Sequence, residues 1–540
     1  MNKADFFGRK NCLEILEKRV EALKEGYRQN IAIIGDKDIG KTSIILNFLN
    51  NFSDPLILPL YLELRPEFSR EQFVRKFIGV MLYNFLENSN IARNEDLDYL
   101  ISKANSFIPK TTDAIKEILN SLKRKGKGRE NTFVQLLTLC DILSSETQKR
   151  CVIIFDEFHH LGSVGINRIY KQFSKMLMIQ KDVLYVILSS AKFMAKRILS
   201  SHLALLFGNF EVIKIQPFDL KTTEEFLANR VGHLQIQGCL IDFLIHFTGG
   251  FPLYLKILAN SLSSATEPIN KEKLAQIIQD LMFVEAGILN QRFNNYLSLL
   301  QNFKAAADYQ TSLHLIAAGA NRVKDIAAKL HRPKAKIMSR LNILLEYDII
   351  TKSGDFFLIN DRVFGFWLKF VHKEKTASLT FDTEEQKRNF RTMIEDKIDQ
   401  FISANQKSVL ERTMELLLHF ENASIQLGTK RIRLAHFQEV KTLNFTRCRL
   451  NEGLLGRSKQ SLWIMAIKPG DLTEEDIVDF SKQCHRLRYA KPQKKIIITN
   501  SDIDTTVRLK AMEEKILTWN LDDLNLILDL YNEPWVVPQR

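Results

Sequence analysis

Apolar and polar positions alternate along this chain in blocks of two kinds. Continuous apolar runs of strand length stand at 31–34, 151–155 and 183–188, the pattern of strands buried on both faces of a parallel sheet. After the first run, Ile44, Ile45, Phe48 and Leu49 recur at helical spacing. Further on, a helical stretch at 241–247 meets Gly249-Gly250, which suit a helix end, and Pro252 suits the first turn of the next helix. Residues 312–320, 321–330 and 334–345 read as three amphipathic helices, and 347–359 as a hairpin turning near Ser353-Gly354. The stretch 372–391 is polar, without an apolar stripe before Phe390, and reads as a linker or an exposed helix. Beyond it come a helix at 409–419, strands at 424–426, 432–442 and 462–468, a helix at 474–487, a strand at 495–499 and a closing strand-helix at 516–530. The chain is thus expected to be α/β, with boundaries giving segments 1–217, 218–304, 305–371, 372–392 and 393–540.

Composition narrows the class. A length of 540 residues exceeds what one core supports, and 45% hydrophobic with 26% charged residues is ordinary for a globular protein. No apolar run reaches the roughly 18 residues of a membrane span, and the first ten residues lack the apolar core of a signal peptide. The expectation is a cytoplasmic protein with no membrane partner. Cys12, Cys140, Cys151, Cys239, Cys448 and Cys484 form no C-x-x-C pair, which argues against a zinc site and a disulfide framework. The net charge of +13 favours a polyanionic partner. Part of it lies in a glycine-spaced loop at 123–129, which reads as solvated; another part lies at 322–340, where Arg322, Lys324, Lys329, Arg332, Lys334, Lys336 and Arg340 face Asp325 alone.

The candidate chemistry begins where the first strand ends. Gly35-Asp36-Lys37-Asp38-Ile39-Gly40-Lys41-Thr42 reads G-x-x-x-x-G-K-T, followed by Ser43. Such a loop curls its backbone N–H groups around phosphates, while Lys41 reaches the β and γ oxygens and the Thr42 hydroxyl binds Mg²⁺. The expected ligands are therefore ATP and Mg²⁺, on a cradle of Gly35, Asp36, Asp38, Ile39, Gly40, Lys41, Thr42 and Ser43. The second apolar run ends in Asp156-Glu157. Asp156 is assigned to the metal and Glu157 to polarising the attacking water, with Lys41 as the other catalytic group. His159 and His160 read as packing or solvent-facing, having no third metal ligand. The third run ends in Ser189-Ser190, where a hydroxyl, assigned to Ser189, either senses the γ-phosphate or caps the helix that follows.

These motifs and their flanks, over about 5–371, resemble the archaeal-type ATPases of the STAND branch of the AAA+ superfamily. Phe6-Phe7-Gly8-Arg9-Lys10, with Leu13, Leu16 and Val20 behind it, is similar to the family's "F-x-GR-E" approach to adenine, with Lys10 in place of the acid. Residues 156–161 are similar to its "DEF-x-x-L", and residues 248–254 to its "GG-x-P" box. The resemblance implies that Gly8 and Arg9 flank the base and that Pro252 approaches it from a helical lid. Where members carry "L-Y-G-R", this chain has Leu206-Phe207-Gly208-Asn209, without the arginine. The three helices and hairpin make the order of a winged helix-turn-helix, assigned to 305–371; the family is similar in carrying such a module there, with its "D-x-x-x-x-F-W", here Asp361 to Trp367, after the hairpin.

Arg332, Lys334, Lys336 and Arg340 stand at and near the start of the third helix of that module, where a reading helix meets DNA. The alternative is a module that packs as a switch element. The order of elements at 393–540 resembles a restriction-endonuclease-like domain. Ala466-Ile467-Lys468 lacks the glutamate of that fold's E-x-K, and Glu439-Val440-Lys441 lacks an upstream acid, so a degenerate, contact-making version is favoured. The expected whole is a P-loop AAA+-type parallel sheet (1–217), a helical lid (218–304), a winged helix (305–371), a linker (372–392) and an inactive nuclease-like domain (393–540). It is read as a switch that binds ATP, slowly hydrolyses it to ADP and phosphate, and controls DNA engagement or assembly with itself or a protein partner. The rivals are an ATP-gated nuclease and a nucleotide-binding scaffold without turnover.

Overall fold

The computed structural model describes residues 6–86, 96–123, 131–203, 210–265, 267–377, 383–428, 430–445, 449–450, 452–486 and 492–538. They form two compact units, Met1–Pro217 and Phe218–Arg540. The basic stretch at 124–129 and the Leu206-Phe207-Gly208-Asn209 stretch lie outside the described residues. Among those residues no helix is long and apolar enough to cross a membrane.

In the first unit, β1 (Asn30–Gly35), β2 (Ile57–Glu63), β3 (Arg150–Asp156), β4 (Val183–Ser189) and β5 (Phe210–Ile215) form one parallel sheet. The order is β2-β3-β4-β1-β5. The three apolar runs of the sequence are β1, β3 and β4, adjacent at the sheet centre and buried almost throughout. Their carboxyl ends therefore lie side by side, the usual place for a ligand in such a sheet. β5, at the edge, is mostly half-buried, with Val212 and Lys214 exposed. One face of the sheet packs on an aromatic cluster in which Phe173 stands edge-on to Phe133 at 5.9 Å, Phe155 at 6.1 Å and Tyr185 at 4.9 Å. Such edge-to-face pairs add stability beyond their buried area.

The second unit starts with helices Leu220–Val231, Gly238–Thr248, Pro252–Ser263, Lys271–Met282 and Ile288–Ser298. Gly249, at φ 58°, ends the second, and Pro252 opens the third at its first position. Helices Ala306–Ala317, Val323–Leu330 and Lys334–Glu346 follow, then a hairpin of β6 (Ile350–Ser353) and β7 (Phe356–Ile359). The polar stretch read as linker or exposed helix runs into the 23-residue helix Thr383–Asn405. Phe390, Ile394, Ile398 and Phe401 make one buried stripe along it. Phe390 lies 5.0 Å from Phe283, and Phe401 meets Phe243 edge-on at 5.8 Å. A boundary at 392/393 thus falls inside a helix that packs on the preceding helices.

A second hairpin, β8 (Ser424–Leu427) with β9 (Lys430–Arg433), precedes a five-stranded sheet. That sheet is β10 (Glu439–Asn444), β11 (Glu452–Arg457), β12 (Leu462–Lys468), β13 (Lys494–Thr499) and β14 (Ile516–Trp519), in that order. β10, β11 and β12 are antiparallel, and β12, β13 and β14 parallel. The single strand expected at 432–442 is two, β9 and β10, and β11 was not foreseen. The β8–β9 hairpin sits on the turn of β6–β7. There the Asp355 N–H donates to Ser424 O at 2.8 Å, and the Ser424 N–H to Asp355 Oδ2 at 2.7 Å. A Cβ on Gly354 would stand 2.0 Å from Ser424 O, so only glycine fits that turn. Phe356 of β7 is 1% exposed and belongs to the same apolar cluster as Trp463, Ile498 and Leu524 of the C-terminal sheet and its helix.

Candidate functional site

The helix Lys41–Asn51 begins at Gly40, whose φ of 101° is costly for any other residue, and no side chain caps it. Its first N–H groups are left for an anion at the positive end of the helix dipole. Asp38, at φ 63°, makes the preceding turn, and Ile39 is fully buried beneath the loop. Close packing also explains Gly35, since a Cβ there would meet Ile215 O at 2.7 Å. Lys41 is 4% exposed, and its Nζ donates to the carbonyls of Gly35 at 3.1 Å and Asp36 at 2.7 Å. Burial pulls its pKa down, while Glu157 and Asp156 oppose the shift. The ammonium is desolvated and rests on backbone oxygens, a state in which an incoming phosphate is a strong partner.

Asp156, 2% exposed at the end of β3, gathers three donors. Its Oδ2 accepts from the Thr42 hydroxyl at 2.7 Å and the Tyr61 hydroxyl at 2.8 Å, and its Oδ1 from the Glu157 N–H at 2.8 Å. Among the described residues no group of three or more His, Cys, Asp or Glu side chains could hold a metal. A divalent ion here would be held by Asp156 and Thr42 and otherwise by phosphate and water, the arrangement Mg²⁺ favours. The donor set fits that ion: one carboxylate and one hydroxyl already converge.

Glu157, at φ 50°, turns its side chain towards the end of β4. Its Oε2 accepts from the Ser190 N–H at 3.0 Å and the Ser190 hydroxyl at 2.7 Å, and His159 Nδ1 is 3.3 Å away. His159 Nδ1 also meets Ser189 Oγ at 3.0 Å. Burial, with His160 adding to it and Glu157 opposing, pushes the His159 pKa down to about 4, so the ring is neutral at physiological pH. Ser189 is 2% exposed and pairs in register with Ile34, at the mouth of the loop. It does not cap the next helix, whose first turn follows Ala191 without a side-chain cap.

Lys192, on that helix, forms a 2.6 Å ion pair with Asp36, binding the loop to the end of β4. Gly8 and Arg9 have φ of 67° and 66°, and the Arg9 guanidinium donates to Gln216 O, just beyond β5. Since Ile215 pairs with Gly35, Gly8 and Arg9 share the loop's end of the sheet. Ser43 is half-buried on the helix after the loop. Tyr61 and Lys192 were not foreseen, nor was the contact of Ser190 with Glu157. Tyr61 leaves one trace: in the β2–β3 register it stands diagonal to Asp156, on the same face of the sheet.

Pro252 and the basic residues belong to the second unit. Arg332, Lys334 and Lys336 are exposed at the start of helix Lys334–Glu346. Arg340 is not available with them. It is 8% exposed and its guanidinium is ion-paired to Asp308 inside the three-helix segment, because its place nearly two turns into the helix faces the neighbouring helix. In the C-terminal sheet, Lys468 pairs with the buried Asp476 at 3.3 Å, and Glu439 with Lys441 on edge strand β10.

No known sequence family matches the chain, and no curated protein sequence does. Solved structures do match. A Walker-type ATPase of Pyrococcus abyssi superposes with a TM-score of 0.50 at 18% identity, covering 68% of this chain and 97% of its own. The ORC2 protein of Aeropyrum pernix, solved in ADPNP–ADP complexes, gives 0.42 at 10% identity over 73% and 96%. The ORC1 protein of the same organism, solved in complex with DNA, gives 0.34 at 12% over 67% and 93%. The first of these shows the fold: the five-stranded parallel sheet is that of a P-loop ATPase.

Proposed function

We propose that the chain is an ATP-binding, slowly hydrolysing molecular switch of the STAND type within the AAA+ class. The observation that carries this reading is the convergence of Lys41, Thr42 and Asp156 at the carboxyl ends of adjacent strands, with Thr42 and Asp156 already 2.7 Å apart. When bound, Mg²⁺ would draw charge from the β and γ phosphates. Lys41 would exchange its two carbonyl partners for phosphate oxygens, and the uncapped helix start would hold the same anion. Glu157 would take the proton of the attacking water. Two Ser190 donors now hold its Oε2, with His159 Nδ1 3.3 Å away, and release from them is the step we assign to keeping turnover slow.

The second unit contains the means to pass a change of state along. Tyr254 of helix Pro252–Ser263 is hydrogen-bonded to Asp361, and the adjacent Arg362 joins His246, Asp529 and the ring of Trp535. Two consecutive residues thus tie the helical segment, read as a lid, to the C-terminal domain. The three helices and hairpin at 306–359 support the winged-helix reading, and exposed Arg332, Lys334 and Lys336 support DNA as its partner. The internally paired Lys468 and Glu439 support a C-terminal domain that makes contacts and does not cleave.

Titration calorimetry tests the nucleotide site. Wild type should bind ATP with Mg²⁺, and Lys41→Ala should bind it at least about a hundredfold more weakly, a loss of about 2.7 kcal/mol. Equal affinities would remove the assignment.

A further inference from the structure

Within the second unit lies a cavity of about 270 Å³, bordered by helices Gly238–Thr248 and Thr383–Asn405, by the segment after β7 and by the C-terminal tail. Five phenylalanines line it: Phe247 and Phe366 meet edge-on at 5.2 Å, Phe366 and Phe370 are 4.7 Å apart, and Phe243 and Phe401 complete the set.

The charges on the wall do not balance. Asp529 is held by Arg362, and Glu533 stands 3.6 Å from Arg412. Lys369 and Lys397 lack such partners. Lys369 makes no ion pair or hydrogen bond among the described residues, and Lys397 donates only to the neutral Gln400 side chain at 2.7 Å. Their ammonium groups share one ring, lying 5.1 and 5.5 Å from the Phe370 centroid. Burial lowers the Lys369 pKa, and the charges that act on it, Lys397 and Lys373, lower it further. Two like charges on an apolar wall are unfavourable unless an anion joins them.

We propose that this cavity binds a small aromatic carboxylate, its ring among Phe247, Phe366 and Phe401 and its carboxylate at the Lys369 and Lys397 ammonium groups. Such a ligand matches both properties of the wall: flat apolar area for ring packing and paired cations for one anionic group. A nucleotide is a poorer match, because no glycine-rich loop or free helix start lines the space. The ligand would bridge the helical segment and the C-terminal domain beside the Arg362 junction, and so act as an effector of that junction. The assignment does not depend on the phosphate loop.

Calorimetric titration of the full chain with 2-naphthoate tests it. Saturable binding at one site per chain is expected, with naphthalene-2-carboxamide at least about tenfold weaker, the loss of a charge-assisted contact. The Lys369→Gln, Lys397→Gln double variant should weaken naphthoate by a similar factor and leave the amide unchanged. Gly365→Leu, which places a side chain into the cavity from a helical position with ordinary clearance, should abolish both. Lys41→Ala should bind naphthoate like wild type. Absence of saturable binding, equal affinity for acid and amide, or a double variant equal to wild type would each overturn the proposal.

Discussion

Ser190 grips the Glu157 carboxylate twice, with its backbone N–H at 3.0 Å and its hydroxyl at 2.7 Å. The grip joins the loop after β4 to the residue after β3, and it occupies an oxygen that a general base needs for water. Ser190→Ala keeps the N–H bond and deletes the hydroxyl bond to the carboxylate, worth about 1.5–3 kcal/mol. Phosphate release should rise by roughly tenfold or more at unchanged ATP affinity. Glu157→Gln should lower release by about a hundredfold or more while ATP still binds. A Ser190→Ala rate below wild type would show that the hydroxyl serves the reaction and does not restrain it.

Tyr61 should matter through Asp156. Burial, then the neighbouring Asp156 charge, pushes its pKa well above the ordinary tyrosine range, so the hydroxyl stays protonated and donates. Tyr61→Phe frees Asp156 Oδ2 of one donor, which strengthens it as a metal ligand but loosens its position. The Mg²⁺ concentration giving half-maximal ATPase should shift by several-fold, with little effect on ATP binding measured without metal. An unchanged Mg²⁺ titration would leave Tyr61 with a packing role alone.

Acid should weaken the first unit through His159. Its pKa is about 4 when folded and 6.5 unperturbed, so between those values the unfolded chain holds a proton that the folded chain lacks. Stability is full above pH 6.5 and falls as the pH drops towards 4. His159→Asn removes this titration. Urea midpoints at pH 7.5 and pH 5 should therefore fall less in the variant than in wild type, and parallel falls would refute the linkage.

The basic residues of the three-helix segment should separate into two behaviours. Replacing Arg332, Lys334 and Lys336 with alanine should reduce the salt dependence of DNA binding by about one unit of slope per removed contact. Arg340→Ala should leave that slope unchanged and instead lower stability by about 1.5–3 kcal/mol, the value of a hydrogen bond to a charged group, since Arg340 is paired with Asp308. DNA affinity that ignores salt in wild type would refute nucleic-acid contact by this face.

The parts legible in the sequence were those with a local signature. β1, β3 and β4 are unbroken apolar runs, and the loop at Gly35 to Thr42 carries its conformation in its glycines. Contacts made at long range left no such mark: Ser190 is one of two adjacent serines, and nothing near Lys192 points to Asp36. β11 carries Gly453 and Gly456, and glycines dilute a strand's apolar signature. Both are required by close packing, Gly453 against Met465 O and the Phe445 ring, Gly456 against the Phe437 ring. Arg340 was misread because helical spacing showed its charge but not Asp308 on the facing helix. The Thr383–Asn405 helix begins polar, and its apolar stripe starts only at Phe390.

The turn at Gly354 limits how this protein can be taken apart. With Ser424 O lying where a Cβ would stand, and Phe356 sharing its cluster with Trp463, the hairpin and the C-terminal sheet were shaped as one piece. A recombination event that exchanged everything after residue 392 would inherit a hairpin with a missing neighbour and an uncovered phenylalanine. A cut that keeps the hairpin and the C-terminal sheet on one piece loses neither contact.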